Sequence, residues 1–164
     1  MKQTSPAKPI VVGYDGSAPS AAALSWAVQE ARLRDCDLWV VRVIEGASGA
    51  PRTGAAPSTT RHALAARELR HAVEDSERVW SRVLRILVCG DFAAHALARA
   101  AEDADLLVLG APEHSSPMAS SVGRTIPACV ETLSCPVVIV TSAPRKASAA
   151  PVGEHGRGGH IAMR

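Results

Sequence analysis

Five short apolar runs punctuate this chain: Pro9–Tyr14, Leu38–Ile44, Val83–Cys89, Asp105–Gly110 and Pro136–Val140. None shows the strict polar alternation of a strand with one wet face. Runs of this kind belong to strands covered on both sides, as in parallel sheets. The stretches between them carry a helical period. Leu24, Ala27, Val28 and Ala31 recur on one face; residues 61–78 form a charged amphipathic segment; Ala94, Leu97, Ala98 and Ala101 repeat the pattern; residues 124–134 supply a fourth helix. The alternation predicts one α/β domain, an open five-stranded parallel sheet with helices on both faces and right-handed crossovers. Aromatic residues make up only 3 % of the 164, so the core is aliphatic and alanine-rich, which suits closely packed helices.

Local signals set the boundaries. The first strand breaks at Asp15–Gly16–Ser17, where Ser17 or Ser20 can cap the next helix, and Asp35–Cys36–Asp37 ends that helix. Residues 46–60, rich in Gly, Ala, Pro, Ser and Thr, read as a flexible loop inside the domain. Gly90–Asp91 turns into the third helix, with Asp91 placed to cap it. The folded domain is expected over 9–143, preceded by a flexible arm at 1–8 and followed by a disordered basic tail at 144–164 that has no apolar period.

Composition excludes several function classes. The net charge is +2, but Lys2, Lys8, Arg145, Lys146, Arg157 and Arg164 at the two ends face Glu154 alone, so the central body is mildly acidic. A nucleic-acid binder would gather its cations on one face of the fold. Cys36, Cys89, Cys129 and Cys135 form no C-x-x-C pair and read as reduced thiols, not as disulfides or metal ligands. No apolar run approaches a membrane span, and no signal peptide is recognisable. The expectation is a cytoplasmic protein that engages neither membrane nor nucleic acid.

Motifs of catalysis are equally scarce. There is no P-loop, dinucleotide fingerprint, nucleophile elbow or metal-spaced set, so no catalytic or metal-binding residues are assigned. An acid such as Asp91 after the third strand suits a phospho-acceptor, but that chemistry needs an acidic pair after the first strand and a lysine after the fifth. Asp15 stands alone, and Thr141 and Ser142 follow the fifth. What stands out is Leu106–Gly123, LLVLGAPEHSSPMASSVG, a strand ending at Gly110 and a polar loop feeding a helix. Such loops lie at the carboxyl edge of the sheet, where ligands bind. Asp15 would stand on one wall of that crevice and Gly110 on the other. A carboxylate there accepts hydrogen bonds from ribose hydroxyls, while glycine N–H groups and a helix N-terminus favour phosphate. The alternative reading is that Asp15–Gly16–Ser17 is only a turn and cap.

The Leu106–Gly123 stretch resembles the phosphate loop of the universal stress protein family, G-x2-G-x9-G-[ST], with Gly110 and Gly123 at the first and third glycine positions. The resemblance extends over about residues 9–141, through PIVVGYDGSAPSAAALSWAVQEARLRDCDLWVVRV, GDFAAHALARAAEDADLLVLGAP and SCPVVIVT. It implies strand order 3-2-1-4-5 and a homodimer joined through the fifth strand. In ATP-binding members the residue matching Asp15 contacts ribose, the backbone of the residue matching Val43 contacts adenine, and the loop glycines and hydroxyl residue hold the phosphates.

This chain departs from the pattern at two positions. Glu113 replaces the second glycine and Arg124 the hydroxyl residue. The two are opposite in charge at positions that both face the phosphate pocket in the family, so a Glu113–Arg124 pair would fill the site without ligand. The resemblance therefore implies a non-catalytic stress-response module with a degraded ATP site, requiring no cofactor and acting by dimerisation and contact with a protein partner. The alternative it leaves open is an adenine-nucleotide sensor, with ATP possible, built on Asp15, Val43, Gly110, Glu113, Gly123 and Arg124.

Overall fold

The computed structural model describes residues 7–45, 58–90, 92–111 and 122–141. Nine elements alternate along them: β1 (Ile10–Gly13), α1 (Ala18–Arg34), β2 (Leu38–Glu45), α2 (Ser58–Val79), β3 (Val83–Gly90), α3 (Ala93–Ala100), β4 (Leu106–Ala111), α4 (Val122–Thr132) and β5 (Val137–Thr141). The sheet order is β3-β2-β1-β4-β5 and all four pairings are parallel. Both expectations are met. The 144–164 tail lies outside the described residues, as does almost all of the 1–8 arm.

Period-two alternation splits the core into two layers. Ile10, Val12, Leu38, Val40, Leu106 and Val108 face α1 and α2; Val11, Val41, Leu107 and Leu109 face α3 and α4. On α1 the four residues that the periodicity singles out, Leu24, Ala27, Val28 and Ala31, are all buried. Three alanines on that face, Ala23, Ala27 and Ala31, are fully buried, letting the helix backbone lie close to β1 and β4. Register puts Ile10 beside both Leu38 and Leu106, so β1 is the central strand and its carboxyl end has a neighbour on each side.

Ends of elements follow local chemistry. Ser17 is the N-cap of α1 and its Oγ accepts the Ser20 N–H at 3.3 Å. Asp35 closes α1 in the left-handed region at φ 52°. At the opposite edge of the sheet Trp80 donates its indole N–H to the Cys36 carbonyl at 2.9 Å, and Arg82 binds the Asp37 carboxylate at 2.7 Å, fastening the starts of β2 and β3.

Several boundaries differ from expectation. α2 begins at Ser58, so residues 58–60 belong to the helix and not to the expected 46–60 loop, whose residues 46–57 lie outside the described residues. α4 begins at Val122, so Gly123 and Arg124 lie in its first turn and not ahead of it. The first four N–H groups of any helix lack internal partners, so glycine weakens that turn least. Pro127 follows four residues after Gly123 and cannot donate to its carbonyl. The N-cap of α3 is Phe92, not Asp91, and Phe92 offers no side-chain cap. Asp91 lies outside the described residues. The carboxylate comes instead from Glu45, the last residue of β2, whose Oε1 accepts the Ala93 N–H at 2.8 Å. It places negative charge at the positive end of the helix. Glu45→Ala is therefore expected to cost about 1 kcal/mol of stability, while Glu45→Gln retains most of it. Urea unfolding midpoints at constant m check both.

Candidate functional site at the carboxyl edge of the sheet

The carboxyl ends of β1, β2 and β4 open into a cleft of about 270 Å³. It lies where chain direction across the sheet reverses, with β2 on one side of β1 and β4 on the other. Asp15, Val43 and Gly110, three of the residues singled out in the sequence, line it together. Gly123 and Arg124 sit in the helix that borders it, and Thr125 and Ile126 of that helix are in its wall. Glu113 and the side chain of Arg124 lie outside the described residues, as does any pairing between them.

The wall at Asp15 is built by a turn. Gly16 adopts φ 88°, which a side chain would strain, and this returns Ser17 N–H to Asp15 Oδ1 at 2.9 Å. Ser20, one helical turn on, brings its Oγ to 3.4 Å from the Asp15 N–H. Burial works against the charge of Asp15. The hydrogen bonds from the Ser17 hydroxyl and N–H and from Ser20, with the positive charge of Arg42, outweigh it and hold the carboxyl below its ordinary value of 3.8. The two readings of Asp15–Gly16–Ser17 thus coincide: the turn and cap keep an ionised carboxylate at the edge of a cleft.

Arg42 is the polar interruption in β2. Its Nη2 reaches Glu68 Oε2 at 2.8 Å, and its Nη1, buried and without a hydrogen-bond partner among the described residues, lies against Gly16. A Cβ at Gly16 would stand 3.2 Å from that nitrogen. Arg42 therefore supports the Asp15 turn from behind.

A carboxylate whose folded pKa is depressed stabilises the native state fully above the unfolded value and loses that contribution as pH falls through the folded one. Wild-type stability should thus fall more steeply below about pH 4 than that of Asp15→Asn. Acid titrations of the urea midpoint measure the difference, and parallel curves would show that the Asp15 charge is not held.

Packing gives Gly110 a reason to be glycine besides phosphate approach. A Cβ there would stand 2.2 Å from the Pro19 carbonyl oxygen and 2.7 Å from Ser20 N, so the first turn of α1 packs directly on it. Sequence reasoning missed Glu45, which brings a second carboxylate to the cleft, and Thr125. The family pattern looks for its hydroxyl at residue 124; here the hydroxyl is one residue later. Tyr14, Ser17 and Ser20 also line the cleft, and Val41, Val43, Leu97, Leu109 and Ile126 give it an apolar part. Among the described residues no three His, Cys, Asp or Glu side chains form a set that could hold a metal, and no helix is long and apolar enough to cross a membrane.

Comparison with known proteins gives a consistent picture. The model of the universal stress protein family matches residues 6–141. Universal stress protein Rv2028c of Mycobacterium tuberculosis is 33 % identical over 150 residues, covering 85 % of this chain and 50 % of that protein. The chain thus spans about half the length of the curated relatives it matches. A universal stress protein crystallised in complex with cAMP superposes with a TM-score of 0.63 at 22 % identity, over 84 % of this chain and 98 % of that one. The universal stress protein from Archaeoglobus fulgidus in complex with dAMP gives 0.60 at 23 % identity, over 80 % and 96 %.

Proposed function

The chain belongs to the universal stress protein family, and from that premise we propose that its cleft binds the adenosine part of an adenine nucleotide in a protein that acts by binding, not by catalysis. The observation that carries this reading is the convergence of Asp15, Val43 and Gly110 on one cleft at the sheet's switch point. Asp15 accepts the ribose hydroxyls. The Val43 backbone meets the adenine edge, and the apolar lining of Val41, Leu97 and Ile126 covers its faces. The Thr125 hydroxyl and the N-terminus of α4 stand at the phosphate end. Two related folds were solved with cAMP and dAMP, which supports a ligand with one phosphate.

The electrostatics favour the same ligand. Asp15 and Glu45 both line the cleft, and Glu45 already occupies the first N–H of α3. Each added phosphate charge meets these carboxylates, so AMP should bind more tightly than ATP. Calorimetry with both nucleotides tests the proposal. Asp15→Ala is expected to weaken AMP by roughly ten- to a hundredfold, the worth of hydrogen bonds to a charged group, about 1.5–3 kcal/mol. Unchanged binding would remove Asp15 from the site. No binding of either nucleotide to the wild-type chain would return it to the ligand-independent reading, a module that works through its partners alone.

Assembly belongs to the same proposal. β5 is an edge strand, with Ile139 44 % exposed, and Val130 of α4 is 55 % exposed. An open apolar edge invites pairing with another chain. A homodimer through β5 would cover it, and Ile139→Asp should then sediment as a monomer where the parent chain does not. A parent chain that is monomeric at high micromolar concentration would exclude this interface.

A further inference from the structure

Outside the lining of the cleft, on the neighbouring edge strand, one pair of side chains has the makings of a reactive site. Cys89, near the end of edge strand β3, has its Sγ 2.7 Å from Nε2 of His62 on α2. The placement follows from the fold. Ala65, Leu69 and Val73 of α2 are buried against the sheet, and His62 continues that face one turn further, over the carboxyl end of β3. Cys89 is exposed, so a small oxidant reaches its sulfur.

The other cysteines differ in each respect. Cys36 and Cys129 are buried and Cys135 is half-buried. Burial pushes all three thiols up from their ordinary value. A thiol becomes a nucleophile as its thiolate, and an imidazole within hydrogen-bond reach is the base that makes it one.

We propose that Cys89 and His62 form a site of reversible thiol oxidation, at which a hydroperoxide converts Cys89 to a sulfenic acid and a low-molecular-weight thiol then caps it. In the first step the Sγ proton passes to His62 Nε2 and the thiolate attacks a peroxide oxygen. The S–O bond forms, the O–O bond breaks, and the departing hydroxide or alkoxide takes the proton from the imidazolium to leave as water or alcohol. The sulfur loses two electrons and the peroxide gains them. In the second step the small thiol attacks the sulfenic sulfur. The S–S bond forms, the S–O bond breaks, and hydroxide leaves with the thiol proton as water.

The cap must come from outside the chain. A disulfide needs Cα atoms within about 7 Å. Cys89 is in register with Ile44, whereas Cys36 precedes β2 at its other end, roughly 25 Å away at the rise of a strand. Cys135 precedes β5, four strands across the sheet, more than about 15 Å off. Cys129 is on α4, in the core layer on the opposite face of the sheet from α2.

The test treats the reduced full chain with hydrogen peroxide and a dione that traps sulfenic acid, followed by peptide mass spectrometry. Glutathione is the probe thiol in a parallel arm. Label is expected on Cys89 at least about tenfold faster than on Cys36, Cys129 or N-acetylcysteine free in solution. Both His62→Phe and His62→Gln should slow it by about tenfold or more, with circular dichroism reporting that the fold persists. Glutathione should add once, at Cys89, and be released by reductant. Labelling at the rate of free N-acetylcysteine would overturn the proposal even if neither variant folds. So would equal rates in folded variants and parent. A covalent dimer of the chain in place of the glutathione adduct would overturn the capping step.

Discussion

Gly110→Ala is expected to lower stability by about 3 kcal/mol or more, which leaves about 2 kcal/mol or less, and roughly a few per cent or more of the chain unfolded at room temperature, if its total lies at the low end of the usual 5–15 kcal/mol. The added Cβ would meet backbone, at 2.2 Å from the Pro19 carbonyl oxygen and 2.3 Å from its carbon. A flexible side chain could rotate away from such a contact; the first turn of α1 cannot. That turn is held by the Ser17 cap and by the burial of Ser20, Ala23 and Leu24, so relief requires the whole helix to move off the sheet. Gly90 provides the control. Its Cβ would find Ala96 Cβ at 3.6 Å, an ordinary contact, and Gly90→Ala should change stability by no more than about 0.5 kcal/mol. Urea unfolding of the two variants side by side reads the difference. A Gly110→Ala protein as stable as Gly90→Ala would mean that α1 does not rest on this glycine, and phosphate approach would again be the leading reason for it.

That contrast shows what kinds of information a sequence carries. Strands buried on both faces leave continuous apolar runs, so Val11–Val12, Val40–Val41 and Leu107–Val108 announce the sheet without help from any partner. The helical face of α1 is equally local, since Leu24, Ala27, Val28 and Ala31 repeat at the period of the helix itself. Asp15 was legible because an acid, a glycine and a serine in succession form a recognisable turn. Glu45 was not, because its partner is the N–H of Ala93, forty-eight residues away, and only the packing of α3 beside β2 brings them together. His62 and Cys89 are twenty-seven residues apart and meet for the same kind of reason. Thr125 was hidden differently. A pattern written in fixed spacings looks for the hydroxyl at residue 124, yet α4 starts at Val122, and it is the next residue along it that lines the cleft. The glycine at 110 was found by its place in the loop pattern, and the packing of α1 against it, which no local pattern shows, adds a second reason for it.

Glu113→Gly is expected to tighten ATP far more than AMP. The resemblance to the family puts Glu113 at a loop position where glycine serves phosphate binding, and its charge acts on whatever lies at that end of the ligand. At about 4 Å and an intermediate dielectric, a carboxylate and a phosphate oxygen repel by up to about 4 kcal/mol before ions screen them. Even a quarter of that is about fivefold in affinity. A triphosphate carries more charge further along the loop than a monophosphate, and adenosine carries none. The gain should therefore rank ATP above AMP and AMP above adenosine, and it should shrink as salt is raised. Arg124 sets the complementary test. If it pairs with Glu113, removing both costs less than the sum of the single changes, and a double-mutant cycle in urea isolates the coupling. If it instead serves the ligand, Arg124→Ala weakens nucleotide in the parent and in Glu113→Gly alike. Calorimetry showing an equal gain for ATP, AMP and adenosine would mean that Glu113 acts through loop conformation and not through its charge. The preference for a ligand with few phosphates would then rest on Asp15 and Glu45, the two carboxylates that line the cleft.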